Sequence, residues 1–344
     1  MTSRPLPGAL PPAGASTASS RVTGATTDGT TDATTDGMAD ATSAGKPGAS
    51  RLPPLEASRV VPPGGADAAA AKAQARARRD AEVRGVASMQ EMRAAIRAAS
   101  RVLPAIDAVP RVRGMNAATF RARAQQGLPF LVPGAIARWP ICALQPDVLR
   151  ERFGAVPVRA RVGDYIGTAF AADRAMQDMT MREYLDLADA TEGLPPYLGN
   201  LELRELNSLC HWPTYFEKMG PPRFWIGPAG TVTPLHSDFD DNIFAQVWGR
   251  KRIFLAPAHH DEFLYTREAN PVLYGSPFDP EAPDYERYPL ARQATMLEVL
   301  VEPGDMLYIP AGWYHQVRAL TFSLSSNRWA RGVPLALSGS AHGP

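Results

Sequence analysis

Beyond about residue 223, short apolar runs alternate with turns rich in glycine and proline. Runs of this length and spacing are typical of strands in an antiparallel barrel or sandwich. They read FWIGPAG, TVTPLHSD, NIFAQVWG, KRIFLAP, TMLEVLVEPG, DMLYIP, YHQVRAL and TFSLSSNRWA. EPGD at 302–305 is a strong turn signal, and an irregular insert from His259 to about Arg292 interrupts the series. The pattern predicts a mostly β fold, a barrel of jelly-roll type.

Between about residues 104 and 222 the periodicities are mixed. Helices are predicted over NAATFRARAQQG behind the cap Asn116, over PDVLRERFG, and from the capping box Thr180–Glu183 to about residue 190. Strands are predicted over VPRVRG, LPFLVPGAI, VPVRARVG and PPYLGNLEL, and residues 204–222 read as loop. In VPVRARVG the alternation places Arg159 and Arg161 on a solvent-exposed face.

The N-terminal third has a different composition. Residues 1–66 are dominated by Pro, Gly, Ala, Ser and Thr, which cannot bury enough apolar surface to order a chain. The following segment is rich in Ala and Arg, with Gly85 dividing two predicted helices. We therefore expect a disordered tail over 1–66, a helical segment over 67–104, a globular domain over 105–335 and a short tail over 336–344.

Charge and cysteine usage narrow the functional classes. The formal net charge is +1, from 36 basic and 35 acidic residues, so nucleic acid or an anionic membrane is not expected as partner. Cys142 and Cys210 lie far apart and form no disulfide framework or zinc motif, which indicates a reducing compartment. With no membrane-spanning apolar run and no secretory signal in the sequence, we expect a cytoplasmic protein.

Three residues suggest a metal site. His236 and Asp238 are two positions apart, so on a strand both side chains point to one face. A third ligand candidate, His315, lies in YIPAGWYHQV, and two histidines with one carboxylate suit non-haem Fe(II). His-x-Asp is common by chance, and an ordinary core or surface pair is the alternative. The other histidines are expected at the surface: His211, His259, His260 and His342.

Lys251 is the second chemical candidate. Alternation places it on one strand face with Ile253 and Leu255. A lysine facing the inside of a barrel is costly to bury unless it meets an anion. The alternative is that Lys251 faces solvent, as its arginine neighbours can.

Residues 223–329 resemble the JmjC/cupin-like (cupin 8) family of Fe(II)- and 2-oxoglutarate-dependent oxygenases. The likeness is strongest to the branch of the asparaginyl hydroxylase that inhibits hypoxia-inducible factor. TPLHSD, NIFAQVWGRKR, DYERYP, PGDMLYIPAGWYH and SSNRW follow that branch's order, and FLVPGAIARWP, LRERFG and PYLGN extend the likeness to about 110–330. The resemblance implies a double-stranded β-helix (jelly-roll) with N-terminal helices.

Site residues follow from the same resemblance. His236, Asp238 and His315 would be the iron ligands. The remaining residues would bind the 2-oxoglutarate cosubstrate or lie beside it: Lys251 on the distal carboxylate, Thr233 and Tyr197 on that same carboxylate, and Asn242 and Asn327 near cosubstrate and metal.

The implied enzyme is a dioxygenase. It uses O2 to hydroxylate an amino-acid side chain of a protein, or a small molecule, and releases succinate and CO2. His-x-Asp favours this over N-methyl-lysine demethylation, for which His-x-Glu is common. A metal-dependent cupin without 2-oxoglutarate, which would not need Lys251 or Thr233, and a silent peptide-binding cupin remain alternatives. No counterpart of that branch's C-terminal dimerisation helices follows the last predicted strand, so the oligomeric state stays open.

Overall fold

The computed structural model describes residues 90–171, 174–216, 219–270 and 273–330. The expected tails over 1–66 and 336–344, and the Ala/Arg-rich stretch over 67–89, lie outside the described residues. No helix within the described ranges is long and apolar enough to cross a membrane.

The elements follow the predicted order closely. The helices are α1 over residues 90–101, α2 Ala117–Ala124, α3 Pro146–Phe153, α4 Met181–Ala190 and α5 Arg204–Asn207, with 3-10 turns at Pro140–Ala143, Ala258–His260 and Pro289–Gln293. The strands are β1 Phe130–Val132, β2 Pro157–Arg161, β3 Met176–Thr180, β4 Leu198–Leu201, β5 Arg223–Gly227, β6 Val232–Asp238, β7 Asp241–Trp248, β8 Lys251–Ala256, β9 Arg267–Asn270, β10 Leu273–Gly275, β11 Leu297–Val301, β12 Met306–Ile309, β13 Tyr314–Ala319 and β14 Ser323–Ala330. Asn116 caps α2 and a capping box begins α4 at Thr180, as predicted; in the structure Asn116 also forms a capping box, with Thr119.

Two six-stranded antiparallel sheets form the jelly-roll, which confirms the predicted fold class. One has the order β1-β12-β7-β14-β5-β4 and the other β11-β8-β13-β6-β10-β9, while β2 and β3 pair separately. Side chains from both sheets meet in one apolar cluster that includes Leu131, Phe244, Ile253 and Val317. That cluster fills part of the space between the sheets, and polar residues occupy another part.

A bulge in β6 sets the face of its side chains. His315 and Val317 on β13 lie opposite His236 and Thr233 on β6, so three residue steps on β6 face two on β13. The extra residue therefore turns Thr233 and His236 to the same side of the sheet. Pro234 lies inside this irregularity, where a missing N–H disturbs the ladder least.

Three details differ from the sequence prediction. VPRVRG forms only a bridge from Arg111 to Leu131, and the 259–292 insert contributes β9 and β10 to the second sheet. A short helix, α5, begins the 204–222 stretch. Arg161, expected on a solvent-exposed face, is buried at 7% exposure, because β2 is covered at that end by the segment around Tyr197.

Candidate metal centre

The three predicted ligands lie together in the structure. His236 and Asp238 are on β6, and His315 is directly opposite His236 on β13. One ligand atom from each residue lies within 4.8 Å of the other two, a separation that a single ion can span. All three come from adjacent strands of one sheet, so their ligand atoms can occupy one face of an ion's coordination shell.

Backbone carbonyls orient both imidazoles. Nδ1 of His236 lies 2.8 Å from the Pro234 carbonyl oxygen, and Nδ1 of His315 lies 3.0 Å from that of Trp313. A carbonyl only accepts, so each Nδ1 carries the proton and each Nε2 keeps a free lone pair. Burial lowers the pKa of His315 to about 4, and the neighbouring His236 acts in the same direction. His315 is therefore neutral near pH 7, the form that binds metals.

The carboxylate ligand is fixed from the opposite sheet. The Trp329 indole donates to Oδ2 of Asp238 at 2.9 Å. Oδ2 also lies 3.8 Å from Nε2 of His315. Trp329 was not predicted as a site residue, although it ends the SSNRW motif; its indole N–H is the donor that fixes the rotamer of Asp238.

The turn before His315 is tied to the other ligand strand. The Ala311 amide donates to Oδ1 of Asp241 at 2.8 Å, and the Gly312 amide donates to the Asp238 carbonyl at 2.7 Å. Gly312 has φ +80°, a conformation that favours glycine. Asp241 was also missed by sequence reasoning, because its role depends on a contact across the fold.

Lys251 is buried at 1% exposure on the inner face of β8. Among the described residues its ammonium has one hydrogen-bond partner, the Ser325 hydroxyl at 2.7 Å, and no carboxylate pairs with it. Burial lowers the pKa of Lys251 to about 7. An inward lysine without an anion is the arrangement expected if an anionic ligand completes the site.

Tyr197 lies near Lys251, and Thr233 contacts Tyr197. The Lys251 ammonium is 6.0 Å from the Tyr197 ring centre, and the Thr233 side chain hydrogen-bonds the Tyr197 phenol. Both residues are buried. The Ser325 hydroxyl thus contacts the ammonium directly, and the Tyr197 ring lies within 6.0 Å of it.

A chain of polar contacts crosses the first sheet. The Trp225 indole donates to Oδ1 of Asn327 at 2.8 Å, and Nδ2 of Asn327 donates to Oδ1 of Asn242 at 3.1 Å. The two predicted asparagines are thus brought together, and Trp225 is a third member that the sequence did not reveal. The metal triad and the asparagine pair are the predicted site residues that direct geometry brings together.

The remaining histidines within the described ranges lie elsewhere. His211 is exposed, as predicted. His260 is buried at 8% exposure, contrary to the prediction, because its Nδ1 accepts from the Thr295 amide at 3.0 Å. His259 is half-buried against Ser100 of α1. His342 lies outside the described residues.

The model of the cupin-like domain matches residues 116–334, well over half of the chain. The chain belongs to the cupin-like domain family. This cupin-like protein carries the His-Asp-His triad that fits Fe(II) in the JmjC 2-oxoglutarate oxygenases.

Several relatives of the cupin-like protein carry JmjC names. Lysine-specific demethylase JMJ30 of Arabidopsis thaliana is 44% identical over 217 residues, or 59% of this chain and 50% of that protein. Jumonji C domain-containing protein 5 of Drosophila melanogaster is 30% identical over 250 residues, 66% of this chain and 59% of that protein. Human bifunctional peptidase and (3S)-lysyl hydroxylase JMJD7 is 31% identical over 243 residues, 58% of this chain and 76% of that protein. The chain thus spans between half and three fifths of the first two relatives.

Proposed function

We propose that this protein is an Fe(II)- and 2-oxoglutarate-dependent dioxygenase that hydroxylates an amino-acid side chain of a protein or a small-molecule substrate. The observation that carries the proposal is Lys251, a buried side chain without a carboxylate partner among the described residues. It lies on β8, which pairs with the strand that carries His315 of the metal triad. A metal-dependent cupin without a dicarboxylate cosubstrate has no use for such a lysine. The metal triad and the lysine are both explained if 2-oxoglutarate binds.

The metal would be held by His236, Asp238 and His315. Bound iron would supply the oxidative decarboxylation of 2-oxoglutarate to succinate and CO2, coupled to hydroxylation by O2. The chain's own residues orient both imidazoles through backbone carbonyls and orient the carboxylate through Trp329. They supply three ligand atoms on one side and leave the opposite side to the small molecules.

The cosubstrate would be oriented by residues around Lys251. The ammonium would bind the distal carboxylate with a charge-assisted hydrogen bond, and the Thr233 and Tyr197 hydroxyls would donate to it. Asn242 and Asn327, fixed by their mutual hydrogen bond, would face the metal end. Burial of these groups excludes water, which strengthens each interaction.

Demethylation of N-methyl-lysine is the second candidate, and one observation favours it. JMJ30, at 44% identity, is named a lysine-specific demethylase, while JMJD7, at 31% identity, is named a lysyl hydroxylase. We retain hydroxylation as the first proposal because the triad has aspartate at its second position. Three further proposals rest on the sequence alone. They are membership of the asparaginyl-hydroxylase branch, the domain division at residues 66, 104 and 335, and a cytoplasmic location.

A turnover assay tests the proposal. Purified protein with Fe(II), ascorbate and 2-oxoglutarate should release succinate slowly, and faster when a peptide or amino-acid substrate is added. Mass spectrometry of the stimulating compound separates the two reactions. Hydroxylation leaves a stable product one oxygen atom heavier, whereas demethylation removes a methylene and releases formaldehyde. Succinate release that is unchanged in the Asp238→Ala variant would contradict the proposal.

A further inference from the structure

Arg161 is buried in a place where the strand pattern predicts an exposed side chain. It ends β2, and its exposure is 7%, whereas Arg159 on the same strand is exposed and pairs with Asp178 at 3.3 Å. Arg161 and Tyr197 exchange backbone hydrogen bonds at 2.9 and 3.0 Å. The side chain therefore lies beside a residue of the proposed cosubstrate pocket.

Two aromatic rings and a glycine surround the guanidinium. Its Cζ lies 5.6 Å from the Tyr197 ring centre and 5.5 Å from that of Trp225. A Cβ at Gly199 would lie 2.9 Å from the Arg161 Cζ, so the guanidinium packs directly against the backbone there. Aromatic faces attract the charge of a guanidinium but do not accept hydrogen bonds from the N–H groups that point outward in the guanidinium plane. A carboxylate binds to those N–H groups.

Three polar atoms around this point lack acceptors or donors in the part of the chain that the structure describes. They are Nε of Arg161, Nε of Arg174 and the hydroxyl of Tyr165, all buried. Both Arg174 and Tyr165 are close enough to influence the charge of Arg161. No carboxylate of the described residues pairs with either arginine. Nη1 of Arg174 donates to the Ala169 carbonyl at 3.5 Å, while each guanidinium keeps a buried Nε donor that an anion could accept.

This cationic cluster, Arg161, Tyr165 and Arg174, shares a loop with a residue that contacts a candidate metal ligand. Arg161 ends β2, Tyr165 lies in the loop between β2 and β3, and Arg174 lies two residues before β3. The Val162 amide donates to the Ala175 carbonyl at 3.2 Å across this loop. Within the same loop the Phe170 ring lies 5.5 Å from the imidazole of His236. Lys251 approaches the Tyr197 ring within 6.0 Å, so Tyr197 separates two buried cations.

We propose that the cationic cluster is a specificity-determining site that binds a carboxylate of the substrate. The inference rests on the proposed oxygenase function and names its substrate class. Lys251 would bind the cosubstrate, and the cluster would hold a second anionic group beside the metal. A guanidinium offers two parallel N–H donors to a carboxylate and repels a lysine or arginine side chain. The carboxylate can come from an acidic side chain or from the main-chain carboxylate of a free amino acid.

The test compares Arg161→Gln with the matched control Arg159→Gln on the same strand. Calorimetry of 2-oxoglutarate with the Mn(II)-loaded proteins first checks the cosubstrate site. Saturation-transfer NMR then measures the binding of five probes to protein loaded with Zn(II), which is diamagnetic, in place of Mn(II), and with 2-oxoglutarate. The probes are N-acetyl-aspartate amide, N-acetyl-glutamate amide, N-acetyl-lysine amide, free aspartate and free glutamate. Melting temperatures verify that both variants fold, as expected because loss of an unpaired buried charge does not destabilise a core.

We expect 2-oxoglutarate affinity to be equal in all three proteins. Acidic probes should bind the wild type and Arg159→Gln, and about 10-fold to 100-fold more weakly to Arg161→Gln, the loss expected for a charge-assisted pair. Binding of blocked amides identifies an acidic side chain as the ligand, and binding of free amino acids alone identifies the main-chain carboxylate.

Other outcomes overturn the inference. The inference is wrong if Arg161→Gln binds the acidic probes as tightly as the wild type, if the wild type binds no acidic probe, or if it binds the lysine probe more tightly than the acidic ones. It is also wrong if Arg161→Gln loses affinity for 2-oxoglutarate, which would assign Arg161 to the cosubstrate. Asp173 lies outside the described residues; acidic-probe binding that begins only in Asp173→Asn would assign the cluster to a pair within the chain. Failure of 2-oxoglutarate to bind any of the proteins, with acidic probes still lost in Arg161→Gln, would instead reject the oxygenase function and retain the carboxylate site.

Discussion

A lysine that is 1% exposed, with a serine hydroxyl as its described hydrogen-bond partner, is the residue on which the functional proposal depends. Burial lowers the pKa of Lys251 from 10.5 to about 7 because the charged form loses its hydration. A dianionic ligand would restore the charge. Ligand binding, protonation and stability are therefore linked at this one side chain.

Binding of 2-oxoglutarate should take up a proton. Above pH 7 the free protein holds Lys251 largely neutral, while the complex needs the ammonium. We expect uptake of roughly one proton at pH 8, and an apparent Kd that rises by up to about tenfold per pH unit above 7. Calorimetry in buffers of different ionisation enthalpy measures this directly. Binding without proton exchange at pH 8 would show that Lys251 is already charged or is not used.

Lys251→Met should stabilise the metal-free protein and weaken its binding of 2-oxoglutarate. The unfolded lysine keeps its proton up to about pH 10.5, whereas the folded one loses it near 7, so the wild type gains stability as the pH rises between these values. The stability advantage of Lys251→Met should be largest below pH 7 and shrink toward pH 10. The binding free energy for 2-oxoglutarate should fall by about 2–3 kcal/mol. Denaturant titrations over pH 6–10 and calorimetry check the two effects; Arg250→Met, in the turn before β8, is the control.

Trp329→Phe tests the orientation of the carboxylate ligand. The indole donates to Asp238 at 2.9 Å, and a phenyl ring keeps most of the packing without the donor. Loss of such a contact typically lowers metal affinity by about 10-fold to 100-fold. Trp212→Phe is a matched control because its buried indole nitrogen has no partner among the described residues. Equal Mn(II) affinity in both variants would remove Trp329 from the site.

At the scale of elements, α1 is packed against the turn that presents His315. Arg93 and Arg97 both pair with Asp261, at 3.0 and 2.9 Å. Ile96, 5% exposed, lies where a side chain on Gly312 would have to go. The helix therefore supports the Pro310–Gly312 turn from outside the sheet, although it precedes the domain boundary that the sequence suggests.

Ile96→Ala should affect both stability and metal binding. Truncation of a buried isoleucine costs about 2–5 kcal/mol, and here the cavity would lie against the turn before His315. We expect a several-fold loss of Mn(II) affinity at temperatures where the variant is folded. Met92→Ala on the same helix, 42% exposed, should change neither quantity. A destabilised variant with unchanged metal affinity would mean that α1 supports the fold and not the site.

The strand pattern was readable where each strand has one buried face. KRIFLAP placed Lys251 inward with Ile253 and Leu255, and the structure confirms it. The same logic failed for Arg161, since a neighbouring segment covers the second face of β2. It also failed for β9 and β10, whose short runs lie among prolines and carry little alternation. Local periodicity predicts which face of a strand is apolar. It does not predict which segments of the chain cover the other face.

At the scale of the molecule, residues distant in sequence form one site. The sequence offers His-x-Asp by spacing and His315 as a third ligand candidate, and the resemblance joins them into one site. Trp329, Asp241 and Trp225 are identified only by the structure. Their roles depend on how the two sheets face one another, which no local pattern encodes. Family membership accounts for the fold and the metal triad. The proposed substrate carboxylate site at Arg161 is inferred from this chain's own residues.

The most direct measurement is a calorimetric titration of 2-oxoglutarate into the Mn(II)-loaded protein, repeated without metal and with Asp238→Ala. The proposal predicts one molecule bound per chain. Binding should be strongly weakened without metal and in Asp238→Ala, because the metal and Lys251 hold opposite ends of the same ligand. An absence of binding, or equal affinity with and without the metal, would contradict an oxygenase that uses 2-oxoglutarate.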